Sequence, residues 1–267
     1  MVSQSETADQ STVLSVDRAL MILEWLSERD SGSQSIRMIA ESTGLRKSTV
    51  HRLLETLAKR GWVVQTVEGS YKLGTKALHI SAAVLRQLDV LGTIRPCVMQ
   101  LRSETAQTAF ICVEDNSSLL IVDIFESASQ LRFTRPIGSR SLLHASAAGK
   151  ALLAQMPPSD LDAYLITPLA QATVETITDP EALRRDLDLV RERGYAVSNN
   201  EGYPGIMSFG AVVRNHMNDP VAAISISGPR DEMIRDQESI IDSLRAAANH
   251  ATAQLGGKAM NPSGKLT

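Results

Sequence analysis

The 267-residue chain is poor in the residues that build redox and metal sites. Its two cysteines, Cys97 and Cys112, form no CxxC pair, and its five histidines supply no HExxH or closely spaced ligand pair. A disulfide framework and a structural zinc are therefore not expected, no cofactor is called for, and a reducing cytoplasm fits. No apolar run approaches the ~18 residues of a membrane span, and no basic segment followed by an apolar one opens the chain, so neither membrane insertion nor export is expected. An excess of positive charge is missing too. The net is −3, which taken whole argues against a nucleic-acid partner.

The charge that is present is unevenly placed. Residues 46–60 carry Arg46, Lys47, Arg52, Lys59 and Arg60 against Glu55 alone, a local +4 that leaves −7 for the rest. Local sign decides what a surface attracts. On a helical wheel Val50, Leu53, Leu54 and Leu57 form one apolar stripe, with Ser48, Arg52, Glu55 and Lys59 opposite. Arg46, Lys47, Thr49 and His51 crowd the N-terminal end. Two helices precede this one. "VDRALMILEWLSER" spaces Ala19, Leu20, Ile22, Leu23 and Leu26 helically, and "SIRMIAESTG" has Ser35 as N-cap, with Ile36, Ile39 and Ala40 inward and Gly44 as the turn. "GWVVQTVEGSYKLG" then alternates around Glu68-Gly69 as a hairpin.

Three helices and a hairpin in that order predict a winged helix-turn-helix over residues 13–74. Such a unit puts the N-terminal end of its recognition helix into the major groove. Arg52 and His51 can donate to guanine acceptors, Ser48 and Thr49 suit bases or phosphates, and Lys47 beside Arg46 suits phosphate. The wing residues Ser70, Tyr71 and Lys72 can lie along the flanking backbone. The alternative is a solvated amphipathic helix in which Arg52 pairs with Glu55 at i,i+3. The glycine turn and the wing in the right order favour double-stranded DNA.

The rest of the chain changes character. Residues 1–12 and 257–267 read as disordered tails. Over 75–89, "TKALHISAAVLRQL" is apolar on several faces, so it is either a linker and dimerisation helix or a helix buried between the chain's own domains. Residues 90–256 form the second expected domain. "TAFICVED" and "LLIVDIFES" are strands joined at Asn116-Ser117, and "HASAAGKALLAQ" and "SDLDAYLI" are helices. "DPEALRRDLDLVRERGY" is a helix with Asp179 as N-cap, Pro180 at its first turn and Gly194 at its end. "FGAVVRNHMNDPVAAISISG" turns near Asn218-Asp219, and a long helix over about 232–255 closes the domain. Hairpin strands with helices between them predict an α+β, sensor-like fold with a helix-covered antiparallel sheet.

Chemistry in this domain is sparse. "SAAGKA" departs from a phosphate loop, which needs glycine where His144 stands and Ser or Thr where Ala151 stands. No GxSxG elbow occurs, and no nucleophile, base and orienter come together, so the chain is read as not an enzyme. The small residues opening "HASAAGKALLAQ" let a ligand approach the backbone, and amides at a helix start favour an anion such as a carboxylate. Along "AAISISG", Ser225 and Ser227 share one face and Ile224 and Ile226 the other. The hydroxyl face is either a pocket floor or solvated surface. His144 reads as a hydrogen-bonded structural residue, and Arg140 as an anion attractor or a solvated cation.

"LSVDRALMILEWL", "IAESTGLRKSTVHRLLETL" and "GSYKLG" resemble the N-terminal domain of the IclR family of bacterial transcriptional regulators. "GSRSLLHASAAGKALLA", "RERGYAVSNNEGYPGI" and "VAAISISGP" resemble that family's C-terminal, GAF-like effector domain. The resemblance spans about residues 14–256. It implies a winged-helix reader, a linker helix, a ligand domain, and dimers or tetramers on palindromic promoter DNA. It further implies an effector pocket formed by Phe133, Ala147, Ala148, Ser198, Ile206, Ser208, Ser225 and Ser227. Where many members carry an acidic run after "GY", this chain has Ser198-Asn199-Asn200-Glu201, and fewer carboxylates there ease the entry of anions. The expected function is a ligand-responsive regulator, read as a repressor, with a small organic acid or aldehyde-acid as effector. An aromatic acid is the competing effector, and a C-terminal domain that only oligomerises is the competing role.

Overall fold

The computed structural model describes residues 13–29, 32–80 and 90–259. They fall into two compact units, divided between Leu88 and Asp89.

The first unit packs α1 (Leu14–Ser27), α2 (Ile36–Thr43) and α3 (Lys47–Lys59) with the short strands β1 (Val63–Gln65) and β2 (Tyr71–Leu73). The Ser35 hydroxyl accepts from Met38 N at 3.3 Å, capping α2. Gly44 ends α2 at φ +68°, a left-handed conformation that glycine adopts without a Cβ penalty, and this turn aims α3 away from α2. Val50 and Leu54, both fully buried, meet Ile22, Ile39 and Val63 in the core, with Leu57 beside them and Leu53 packed at the edge. Burying side chains of this size contributes about 1.5–3 kcal/mol each, so the leucine stripe anchors α3. The wing is an antiparallel pair with Val63 opposite Leu73 and Gln65 opposite Tyr71. Residues 76–80 are helical, while the rest of the expected linker helix, 81–89, lies outside the described residues, as do residues 1–12 and 260–267.

The second unit is built on a six-stranded antiparallel sheet in the order β5-β4-β3-β8-β7-β6. Its strands are β3 (Thr108–Asp115), β4 (Ser118–Phe125), β5 (Arg140–Leu142), β6 (Ala196–Asn199), β7 (Ile206–Arg214) and β8 (Pro220–Pro229). Asn116 and Ser117, at φ +50° and +61°, make the tight turn between β3 and β4. Two helices cover one face: α4 (Val90–Thr105), and α9 (Gln237–Gln254), which packs along α4 and β7. The other face carries α5 (Ala147–Leu153), with α6 (Pro158–Ile166) and α7 (Pro180–Arg193) outside it. On α7, Asp179 caps Ala182 N at 2.8 Å, Pro180 starts the helix and Gly194 closes it at φ +79°, as the sequence predicts.

Two expectations need correction, and one helix was not read from the sequence. The closing helix is two helices, α8 (Arg230–Arg235) and α9, separated at Asp236. Residues 257–259 are not free tail: Gly257 N donates to Thr252 O at 2.9 Å, and Lys258 N to Asn218 Oδ1 at 2.8 Å. The helix α4 carries Pro96 in its interior, which masks its helical pattern. Pro96 and Gly92, whose carbonyl would otherwise be its hydrogen-bond partner, are both exposed, so water can satisfy the freed acceptor.

Candidate functional site

The first unit presents a cationic helix end. Arg46, Lys47, Ser48, His51 and Arg52 are exposed and Thr49 is half-buried, because the burial of Val50, Leu54 and Leu57 turns their neighbours outward. Glu55 pairs with the His51 ring at 3.8 Å, not with Arg52, so the i,i+3 neutralisation of Arg52 does not form. No carboxylate pairs with Arg46, Lys47 or Arg52 among the described residues. Free donors on a groove-sized helix end are what base-edge and phosphate recognition needs.

The wing corrects one residue. Lys72 is exposed and Ser70 half-buried, but Tyr71 is only 3% exposed and sits in the helical core. Its backbone exchanges hydrogen bonds with Gln34, at 2.8 Å and 2.7 Å, as a third strand would. Side chains alternate along a strand, so turning Lys72 outward turns Tyr71 inward. Tyr71 holds the wing and does not face a duplex. The same alternation, visible in "SYKL", was the signal that could have reassigned it.

In the second unit, Phe133, Ala147, Ala148, Ser198, Ile206, Ser208, Ser225 and Ser227 all line one cavity of about 580 Å³. Strand register explains the convergence. Ser198 on β6 stands opposite Ser208 on β7, Ser208 opposite Ser227 on β8, and Ser227 opposite Thr108 on β3. One row of hydroxyls therefore crosses four strands. Ser208 donates to Ser227 Oγ at 2.7 Å and Ser198 to the Ala145 carbonyl at 2.9 Å. The Ser225 hydroxyl, opposite Phe110, has no hydrogen-bond partner among the described residues and lines the cavity. Ile224 and Ile226 are fully buried on the opposite face.

The helix α5 forms the roof. Ser146 caps it by accepting from Gly149 N at 3.2 Å, and the cavity reaches Ala147 and Ala148 at its start. Gly210 permits this approach: a Cβ there would stand 2.5 Å from the Ala147 carbonyl carbon and 2.6 Å from Ala148 N. Phe110, Phe133 and Tyr203 form an aromatic wall, with ring centroids 6.1 Å apart for the first pair and 5.0 Å for the second. Cys112 also lines the cavity, and burial pushes its thiol up to about 12, so it acts as a small apolar residue.

Two features, Arg135 and Lys150, escaped sequence reasoning, and Arg140 was left open by it. Arg135 lies over the Tyr203 ring, 5.3 Å from its centroid, on the cavity lining. Arg140, also on the lining, is held by Asp115, so its charge is already answered. Lys150 is 1% exposed, donates to both oxygens of Glu201, at 2.8 Å and 2.9 Å, and forms an ion pair with Asp186 Oδ2 at 2.9 Å. Burial pushes the Glu201 carboxyl up against the pull of Lys150. His144 is structural, as expected. Its Nε2–H donates to the Ala170 carbonyl at 2.9 Å, which leaves Nδ1 to accept from the Tyr164 hydroxyl at 2.7 Å, and burial lowers its pKa.

Both halves of this arrangement have counterparts. The sequence pattern of the IclR helix-turn-helix domain matches residues 15–66, and that of the bacterial transcriptional regulator IclR C-terminal domain matches residues 82–253. The chain belongs to the IclR family of bacterial transcriptional regulators. It is 33% identical to the transcriptional repressor IclR of Escherichia coli K12 over 92% of this chain and 91% of that protein. It is 32% identical to the E. coli K12 repressor AllR over 96% of this chain and 95% of that one. The IclR transcriptional regulator of Alicyclobacillus acidocaldarius superimposes with a TM-score of 0.80 at 26% identity, over 92% of this chain and all of that one. The exposed end of α3 therefore belongs to a DNA-binding helix-turn-helix, and the cavity to an IclR-type C-terminal domain. No helix among the described residues is long and apolar enough to cross a membrane.

Proposed function

We propose that this IclR-family regulator is a cytoplasmic, non-enzymatic repressor that binds palindromic promoter DNA as a dimer or dimer of dimers and changes its operator affinity when a carboxylate enters the C-terminal cavity. Arg46, Lys47, Ser48, Thr49, His51 and Arg52 contact the duplex, with Ser70 and Lys72 on the flanking backbone. One observation carries the ligand half: eight residues drawn from separate segments of the chain line a single cavity with a hydroxyl floor. A domain that only oligomerised would have no need of it. The curated relatives named above are repressors, which supports that sign of control.

The effector is a carboxylate with an apolar body. The cavity's ~580 Å³ falls within the ~300–1,000 Å³ of drug-sized ligand pockets and exceeds what a two- or three-carbon acid fills. The aromatic wall adjoins the hydroxyl floor, with Phe110 beside Ser225 in register, so an apolar ring can bury against one while polar substituents meet the other. Within the reading, the small-acid expectation gives way to its aromatic competitor. A ligand changes operator occupancy only if it binds the DNA-competent arrangement with a different affinity.

The test begins by selecting a duplex from random DNA with the full chain. Affinity for that duplex is then measured against salt and against a panel of aromatic and aliphatic carboxylates. The expected result is a palindromic site, a steep fall in affinity with salt, and a shift in affinity with aromatic members of the panel. No selected site would overturn the DNA reading, and no response to any carboxylate would overturn the ligand reading.

A further inference from the structure

We propose that Arg135 is the anion-recognising residue of the cavity, and that buried Lys150 is the positioning residue that sets the aromatic platform beneath it. The proposal rests on the cavity being a ligand site.

Arg135 differs from its neighbour. Arg140 is paired with Asp115 and also donates to that residue's carbonyl at 3.0 Å. Arg135 has no carboxylate partner among the described residues. It donates one hydrogen bond to the Arg140 carbonyl, at 3.2 Å, and lies over Tyr203. A guanidinium at an apolar cavity, partly stripped of water and lacking a counter-charge, attracts an anion with two parallel donors.

Tyr203 must be held for Arg135 to stay there. It sits in a strap, residues 199–205, that runs from the last residue of β6 to the start of β7. The strap is fastened at its base on every side. Glu201 reaches down to Lys150, which is anchored by Asp186 on α7. Thr176 Oγ1 donates to the Glu201 carbonyl at 2.6 Å and Thr173 Oγ1 to the Asn200 carbonyl at 2.7 Å. Asn200 turns at φ +61° and its Oδ1 accepts from Gly205 N at 2.8 Å. Arg230 Nε donates to Asn199 Oδ1 at 2.9 Å. Among these ties only the Lys150 bridge is ionic and buried, and it joins the strap to α5, the helix whose first residues roof the cavity. Removing one partner of a buried pair leaves an uncompensated charge, so the strap would loosen at that point.

The experiment uses the full chain with the anionic aromatic dye 8-anilinonaphthalene-1-sulfonate as cavity probe, together with amide exchange of residues 199–205. Arg135→Gln is expected to weaken dye binding about tenfold, the scale of one lost charge-assisted hydrogen bond, with unchanged melting and unchanged strap exchange. Lys150→Met is expected to speed strap exchange at least about tenfold, as a locally opened segment exchanges, while protection of β7 and β8 persists, and to weaken the dye as well. Lys150→Arg restores both in part. If Lys150→Met does not fold, Glu201→Gln supplies the same readouts with the side-chain shape kept. Dye affinity unchanged in Arg135→Gln, a wild-type protein that takes up no dye, or exchange that rises over the whole unit overturns the proposal. None of these readouts uses DNA. A protein that passes them but releases its duplex for no carboxylate refutes the regulatory reading and leaves this one standing.

Discussion

The recognition helix and the effector cavity make opposite demands on the chain. The helix end needs six of the seven positions from Arg46 to Arg52, and one buried stripe, Val50 among it, to turn them outward. The cavity needs Phe133, the start of α5, and strands β6, β7 and β8, which lie apart in sequence and meet only in the sheet. A local site is exposed and tolerates substitution in stability while losing function. A convergent site is buried, so a change in it strikes packing before it strikes recognition.

The largest effect should come where a residue assigned to the local site belongs to the core. Tyr71→Ala is expected to cost the first unit about 3 kcal/mol or more, the scale of truncating a buried aromatic. Tyr71→Phe should be close to neutral. Thermal melting of both variants checks this. A Tyr71→Ala protein that melts like the wild type but loses DNA affinity would return the ring to the interface.

Next comes the close approach of α5 to the sheet. Gly210→Ala places a Cβ against the Ala147–Ala148 peptide and should destabilise the second unit by about 1–3 kcal/mol through overpacking. It should also shrink the cavity, read as weaker dye uptake by the folded fraction. On the other side of the comparison, Arg52→Ala should lower affinity for a selected duplex by about 1–3 kcal/mol, the scale of one good bidentate base contact. Melting should not change, because Arg52 is exposed and pairs with no carboxylate among the described residues. Equal losses on all duplexes would make Arg52 a phosphate contact instead of a base reader.

The smallest effect concerns pH. Burial lowers the His144 pKa from its ordinary 6.5, so the folded chain holds the ring neutral while the unfolded chain takes up the proton more readily. The contribution is complete above about 6.5 and is lost as pH falls below it toward the folded value. Melting temperature of the second unit should decline from about pH 7.5 to 5.5, and His144→Gln should flatten that decline. A wild-type profile without slope would mean that His144 charges freely in the fold.

Much of the architecture was legible in residue order. Helix periodicity, Ser35, Gly44, Asp179 and Gly194 marked elements whose signals are local, and those elements stand as read. Pro96 hid α4, and the short β5 and β6 carried too few residues to show a period. The strap's ion cluster was illegible for a different reason. Lys150, Asp186 and Glu201 are spaced by 36 and 15 positions, and nothing in a one-dimensional pattern distinguishes a buried lysine from a solvated one.

Sequence alone determined which stretch can meet a duplex, because helical spacing and local charge are short-range properties of neighbouring residues. Resemblance, not spacing, pointed to the serines. Only the tertiary structure decided that the hydroxyls of Ser198, Ser208 and Ser227 share one row, that Tyr71 turns inward, and that Arg135 is left without a counter-charge among the described residues. Each of those depends on strand register or on contacts between distant segments, and a single residue of slip in register would have sent the serines and Tyr71 to the other face.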